Sequence, residues 1–268
     1  MQPAKEIEPA LLIHANSLFD GQQFHQNISV LVRGSKIEKV APRKSFNLSN
    51  IAILDLGDAT LLPGFIELHA HINYRKVPED IVLQHGITTI RDLAGPIHKP
   101  YGGQGQLRVL SAGPLLTAPQ GYPIPIMGRS KSVLEIESEQ HARETVQQLA
   151  AQGAVIIKVA LEPGGEIGAP WSGKHHHGHI QHHPIKQHHP QHKTTWPLLP
   201  ENIVKAIVDQ AHALGLKVTA HIGEEQGAKI ALNAGVDEWA HMPCSALPND
   251  LLTQAVKQNV TIISTLDT

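Results

Sequence analysis

Apolar and polar positions alternate in short runs through the first sixty residues. One run covers Ala10 to Asn16, a second Ile28 to Arg33, a third Lys36 to Val40, and a fourth Ile51 to Leu56. Asp20-Gly21 and Gly34-Ser35 stand between the earlier runs as turns. A period of two, punctuated by glycine-containing turns, predicts β-hairpins. From residue 61 the pattern changes to short apolar runs alternating with segments of helical period, the signature of βα units. Strands are predicted near 64–71 and over 87–93, 107–113, 154–160, 217–221, 236–241 and 260–266. Helices are predicted near 77–85 and over 135–152, 200–214, 225–234 and 248–258. Gly153, Gly215 and Gly235 supply three of the helix stops. Gly102, Gly103 and Gly105 precede a strand rather than a helix, so they do not form a phosphate loop.

Strands separated by helices in this way predict an α/β fold, an incomplete TIM-type (β/α)8 barrel of about seven strands over 61–268. Residues 1–60 form a separate β segment with no site of its own. The stretch after residue 60 is shorter than the roughly 250 residues a complete barrel takes. A barrel without its eighth strand leaves two apolar edges unpaired, which predicts a homo-oligomer.

Composition narrows the classes of partner. The chain has 268 residues, 41% of them hydrophobic, enough for one large domain or one with a small companion. Aromatics are only 4%, so Ala, Ile, Leu and Val carry the core, as suits buried parallel strands. With 22 Lys+Arg against 24 Asp+Glu, nothing favours a nucleic-acid or anionic-membrane partner. No apolar run is long enough for a transmembrane helix, and the N-terminus lacks the order of a signal peptide. A single cysteine, Cys244, fits a reducing compartment, so a cytoplasmic location is expected.

Histidine placement carries the chemistry. His69 and His71 are two apart on a predicted strand, so both imidazoles face one side, as a shared metal requires. His221 ends the strand at 217–221 and His241 ends that at 236–241. Lys158 interrupts the otherwise apolar run Val155 to Ala160. In a barrel all five lie at the C-terminal rim, where barrel chemistry occurs. On its own, Lys158 reads as a strand-end lysine reaching solvent along its apolar stem, or as a Schiff-base amine. A second cluster, residues 174–193, holds nine of the 19 histidines with Pro and Gly among them. It reads either as a solvated insertion or as a metal-capturing loop. Cys244 reads as a small buried residue or as a further ligand.

The run Leu61-Leu-Pro-Gly-Phe-Ile-Glu-Leu-His-Ala-His71 resembles the first barrel strand of the amidohydrolase superfamily, with Glu67 where Asp is commoner. Thr219-Ala-His-Ile222 resembles its fifth strand, and Trp239-Ala-His241 its sixth, with Met242 where Gly is usual. Gly86 to Asp92 and Leu107 to Gly113 look most like the imidazolonepropionase-like and prolidase-like branch. The resemblance covers almost the whole chain. It implies that residues 1–60 are part of a β-sandwich flanking the barrel. It also implies a divalent metal, one or two zinc ions, held by His69, His71, His221 and His241. Lys158 then becomes a third option, a lysine carboxylated by CO2 that bridges two ions about 3.5–4 Å apart. The activity implied is hydrolysis of an amide-type C–N bond by metal-activated hydroxide, on a cyclic amide or small peptide-like substrate.

Two departures bear on that activity. The loop after the third strand in this branch often ends Gly-Gly-His, whereas here it reads Pro119-Gln-Gly-Tyr122. Tyr122 takes either a substrate-contacting or a structural role. The eighth-strand Asp that moves a proton in the family has no counterpart, since Asp267 does not match its position. The competing expectation is a catalytically impaired truncated barrel that only binds metal through its rim histidines and His-rich loop.

Overall fold

The computed structural model describes residues 9–47, 50–164, 195–243 and 245–265. The His-rich segment, Cys244 and Asp267 lie outside the described residues. The N-terminal pattern folds as β1 (Ala10–Phe19), β2 (Phe24–Arg33), β3 (Lys36–Pro42), β4 (Ala52–Asp55) and β5 (Thr60–Leu61). β1 and β2 form the expected antiparallel hairpin, from Ala10 opposite Arg33 to Phe19 opposite Phe24. β4 and β5 return parallel to β1 on its other edge. Leu18, Ile28 and Val30 are a small separate core for this sheet.

A second sheet has the order β6-β7-β9-β8 and comprises β6 (Phe65–Ala70), β7 (Ile87–Asp92), β8 (Tyr101–Gly103) and β9 (Gln106–Ser111). A third has the order β11-β10-β12-β13-β14-β15. Its strands are β10 (Leu115–Thr117), β11 (Val133–Glu135), β12 (Ile156–Leu161), β13 (Lys217–Ile222), β14 (Glu238–Trp239) and β15 (Thr261–Ile262). β6, β7 and β9 run parallel, as do β12 to β15. Val155 N–H donates to Ser111 O at 3.0 Å, joining the two sheets where β9 meets β12. β8 is an antiparallel hairpin with β9, and this is where the three glycines fall. Gly102 has φ +77, and a Cβ there would lie 1.9 Å from Leu107 O, so the turn demands glycine.

The helices are α1 (Ile72–Arg75), α2 (Glu79–Gln84), α3 (Ile124–Met127), α4 (Glu139–Gln152), α5 (Glu201–Ala213), α6 (Glu224–Ala234) and α7 (Asn249–Lys257). The helix expected over 135–152 begins only at Glu139. Ser138 is its N-cap, accepting the His141 N–H at 3.1 Å, and residues 133–135 are strand β11 instead. α2 is shorter than the expected 77–85 and is preceded by the separate turn α1. The strands expected over 236–241 and 260–266 shrink to two residues each.

Period-two alternation sorts the faces. Ile157, Val159 and Leu161 of β12, with Val218, Ala220 and Ile222 of β13 and Trp239 of β14, pack against buried residues of α4, α5 and α6 in the main core. Lys158, Thr219, His221 and Glu238 therefore turn to the opposite face. Gly227 of α6 keeps that helix tight on β12, since a Cβ there would lie 2.2 Å from Leu161 O. The architecture is α/β with parallel and mixed sheets. Among the described residues no helix is long and apolar enough to cross a membrane.

Candidate metal centre

The face turned away from the helices is where the predicted residues meet. Lys158 is 1% exposed and its Nζ has no hydrogen-bond partner among the described residues. It does not reach solvent, which removes the strand-end reading. Burial lowers its pKa to about 7; the Glu238 carboxylate opposes that fall and the Arg91 guanidinium adds to it.

The four histidines stand around this amine as two facing pairs. His69 Nε2 and His71 Nε2 are 3.1 Å apart. His241 Nε2 and His221 Nδ1 are 2.8 Å apart. The rings of His69 and His241 stack with centroids 6.0 Å apart, linking the pairs. Burial, with the charge of Lys158 as a further cause, keeps all four imidazoles neutral. His71 is lowered to about 4 and His241 to about 2, the latter also by His221.

One outer hydrogen bond assigns a tautomer: His69 Nδ1–H donates to Ala240 O at 2.6 Å, so its Nε2 presents a lone pair. His241 Nδ1 lies 3.3 Å from Met242 O, and His221 Nε2 lies 3.3 Å from Glu162 Oε2. His241 Nε2 and His221 Nδ1 face each other at hydrogen-bond distance, 2.8 Å, with the donor set by the tautomers. Neutral imidazoles are donors that suit a divalent metal, and three of the four, His69, His221 and His241, have an outer partner. Among the described residues, however, no three His, Cys, Asp or Glu side chains converge as a ready-made ligand group. The expected single cluster is therefore present as two pairs.

Tyr122 belongs to the same place. Its ring stacks on His221 with centroids 4.3 Å apart and on Trp196 at 5.8 Å. Burial, and then the charge of Glu162, push its hydroxyl well above the usual tyrosine range.

Several further residues at this face do not stand out from the motifs. Glu162, 1% exposed, accepts the Gly164 N–H at 2.7 Å besides facing His221. It lies four residues after Lys158 and so shares its face, a signal the sequence did carry. Arg91 of β7 pairs with Glu238 of β14 through both guanidinium nitrogens, Nη1 to Oε2 at 3.2 Å and Nη2 to Oε1. Asn73 Nδ2 donates to Asp92 Oδ2 at 2.6 Å at the end of β7.

Parallel strands bearing histidine and lysine on the face away from their helices define this α/β fold. No protein-family model matches the sequence. An uncharacterised protein of Mycobacterium tuberculosis is 24% identical over 219 residues, covering 77% of this chain and 50% of that protein. A Xaa-Pro dipeptidase with bound methionine superposes with a TM-score of 0.66 at 21% identity, covering 96% of this chain and 67% of that one. A prolidase complexed with N-methylphosphonate-L-proline gives 0.68 at 19% identity, covering 97% and 67%. The chain thus shares the fold of that dipeptidase and that prolidase. It spans about half the length of the curated relative it matches.

Proposed function

We propose that this chain carries the metal-binding core of a divalent-metal-dependent hydrolase of amide-type C–N bonds, acting on a cyclic amide or a small peptide-like substrate. The observation that carries the reading is the pair of facing imidazole pairs beside a buried Lys158 amine that has no hydrogen-bond partner among the described residues. The likeness to a dipeptidase and a prolidase favours a substrate with a peptide-like amide. In this reading residues 61–268 are a (β/α)8 barrel that a further strand would close between β15 and β6, and residues 1–60 are part of a flanking β-sandwich. Cytoplasmic residence goes with it.

His69, His71, His221 and His241 would hold one or two zinc ions, and Lys158, once carboxylated, would bridge them. Addition of CO2 to the neutral Lys158 amine, with release of one proton, would turn a buried amine that lacks a hydrogen-bond partner among the described residues into an anionic oxygen donor. The bound ion supplies Lewis-acid polarisation of the scissile carbonyl and a water acidified to neutral pH. The chain's own residues do the rest. Ala240 O holds His69 in the tautomer that offers a lone pair inward, and Glu162 lies against His221. Tyr122 and Trp196 form an aromatic wall beside His221, against which a substrate would rest with the Tyr122 hydroxyl as a hydrogen-bonding group.

The test is metal analysis of three proteins: the parent, a variant lacking 174–193, and His69→Ala/His241→Ala. The loop deletion is expected to retain rim-bound zinc. The double variant is expected to lose it, together with chelator-sensitive hydrolysis of dipeptide and cyclic amide substrates. Parent-like zinc content in a folded double variant would remove the rim site and the proposal with it.

A further inference from the structure

The strand that carries His69 leaves its ladder just where the histidines begin. β6 pairs with β7 through Ile66–Thr89 and Glu67–Ile90, then shifts register and resumes only at Ala70–Asp92. A bulge frees backbone groups that must be satisfied elsewhere. Two side chains take them. The Glu67 carboxylate accepts the His69 N–H at 2.7 Å, and Arg91 Nε donates to Leu68 O at 2.9 Å. The Arg91 guanidinium then crosses to Glu238, whose strand leads into His241. Arg91 is 9% and Glu238 6% exposed, so the pair lies in low dielectric. β6 also ends its sheet, with Phe65 58% and Ile66 63% exposed, so no neighbour on its far side holds it among the described residues.

We infer that Arg91 and Glu238 are positioning residues for the rim: they brace β6 against β14 and set where His69 and His241 stand. The inference rests on the proposed metal function for its consequence, though not for its geometry. Replacing a buried ion pair by apolar residues of similar volume is often neutral for stability, whereas removing one partner is strongly destabilising. That asymmetry separates bracing from mere filling. Apolar residues can fill the space, but they cannot donate to Leu68 O.

The experiment compares Arg91→Met, Glu238→Leu and the combined variant with the parent. It uses thermal unfolding, amide hydrogen exchange at residues 68–71 in metal-free protein, and zinc affinity by chelator competition. Each single variant is expected to melt lower than the parent. The combined variant is expected to regain most of that loss, yet still exchange faster at 68–71 and bind zinc about 10- to 100-fold more weakly, as loss of groups that orient ligands does. Parent-like exchange and parent-like zinc affinity in the combined variant overturn the inference. Should the parent bind no zinc at the rim, the proposed function fails, and exchange at 68–71 alone decides the brace: faster exchange in the combined variant upholds it and parent-like exchange overturns it.

Discussion

An amine buried to 1% exposure without a hydrogen-bond partner among the described residues is a destabilising element unless something claims it. Lys158→Met keeps the volume and removes the polar atom. The metal-free variant is expected to be at least as stable as the parent, with a gain of up to about 1–3 kcal/mol from losing an unsatisfied group. Its rim zinc content is expected to fall, and added bicarbonate should raise occupancy in the parent but not in the variant. Urea unfolding and metal analysis read both; an unchanged zinc content would leave Lys158 a buried lysine with no role as ligand. This residue is legible in the sequence because a lone charge stands out in an apolar strand. Arg91 carries no such signal, since its strand also holds Thr88, Thr89 and Asp92, and its partner Glu238 lies 147 residues away, so no local pattern joins them.

At the scale of elements, the β1–β2 hairpin depends on its turn carboxylate. Asp20 accepts the amides of Gln22 and Gln23, each at 2.9 Å, and the His25 ring at 2.7 Å. These bonds, the Gln23 amide foremost, lower its pKa from 3.8 to about 2. A carboxylate depressed on folding contributes stability that is complete above 3.8 and disappears as pH falls through about 2. Asp20→Ala is therefore expected to melt below the parent near neutral pH, with the gap closing as the pH drops across that window. A gap of constant size over the same pH range would mean that the charge contributes nothing. The hairpin itself is readable from alternation and Asp20-Gly21. The start of α4 is not, because residues 135–138 continue the helical period while Ser138 caps the helix and 133–135 add to the sheet edge.

For the whole molecule, the sheet edges decide behaviour. β6 ends one sheet and β15 another, and Phe65, Ile66 and Ile262 are exposed on them. Val256 on α7 is 76% exposed close by in the chain. Unpaired apolar edges template association with another strand, and each large apolar side chain covered is worth about 1.5–3 kcal/mol at most. The 268-residue chain is expected to self-associate. Ile66→Lys/Ile262→Lys is expected to shift it toward monomer. Sedimentation velocity on both proteins decides; a parent that sediments as a single monomeric species would end this expectation.

The sequence by itself determined the alternation of strands and helices and the places of the candidate rim residues on it, because both are written in local period and in polar residues set within apolar runs. Lys158 stands out from the pattern alone, whereas His69, His71, His221 and His241 are joined into one candidate site by their places at strand ends together with the resemblance to the amidohydrolase motifs. Only the tertiary structure decided that the histidines form two facing pairs, that Ala240 O and Glu162 lie against His69 and His221, and that Arg91 and Glu238 cross between sheets. Those facts depend on side chains brought together from distant strands, and a one-dimensional pattern holds the face a residue takes but not the partner it meets there.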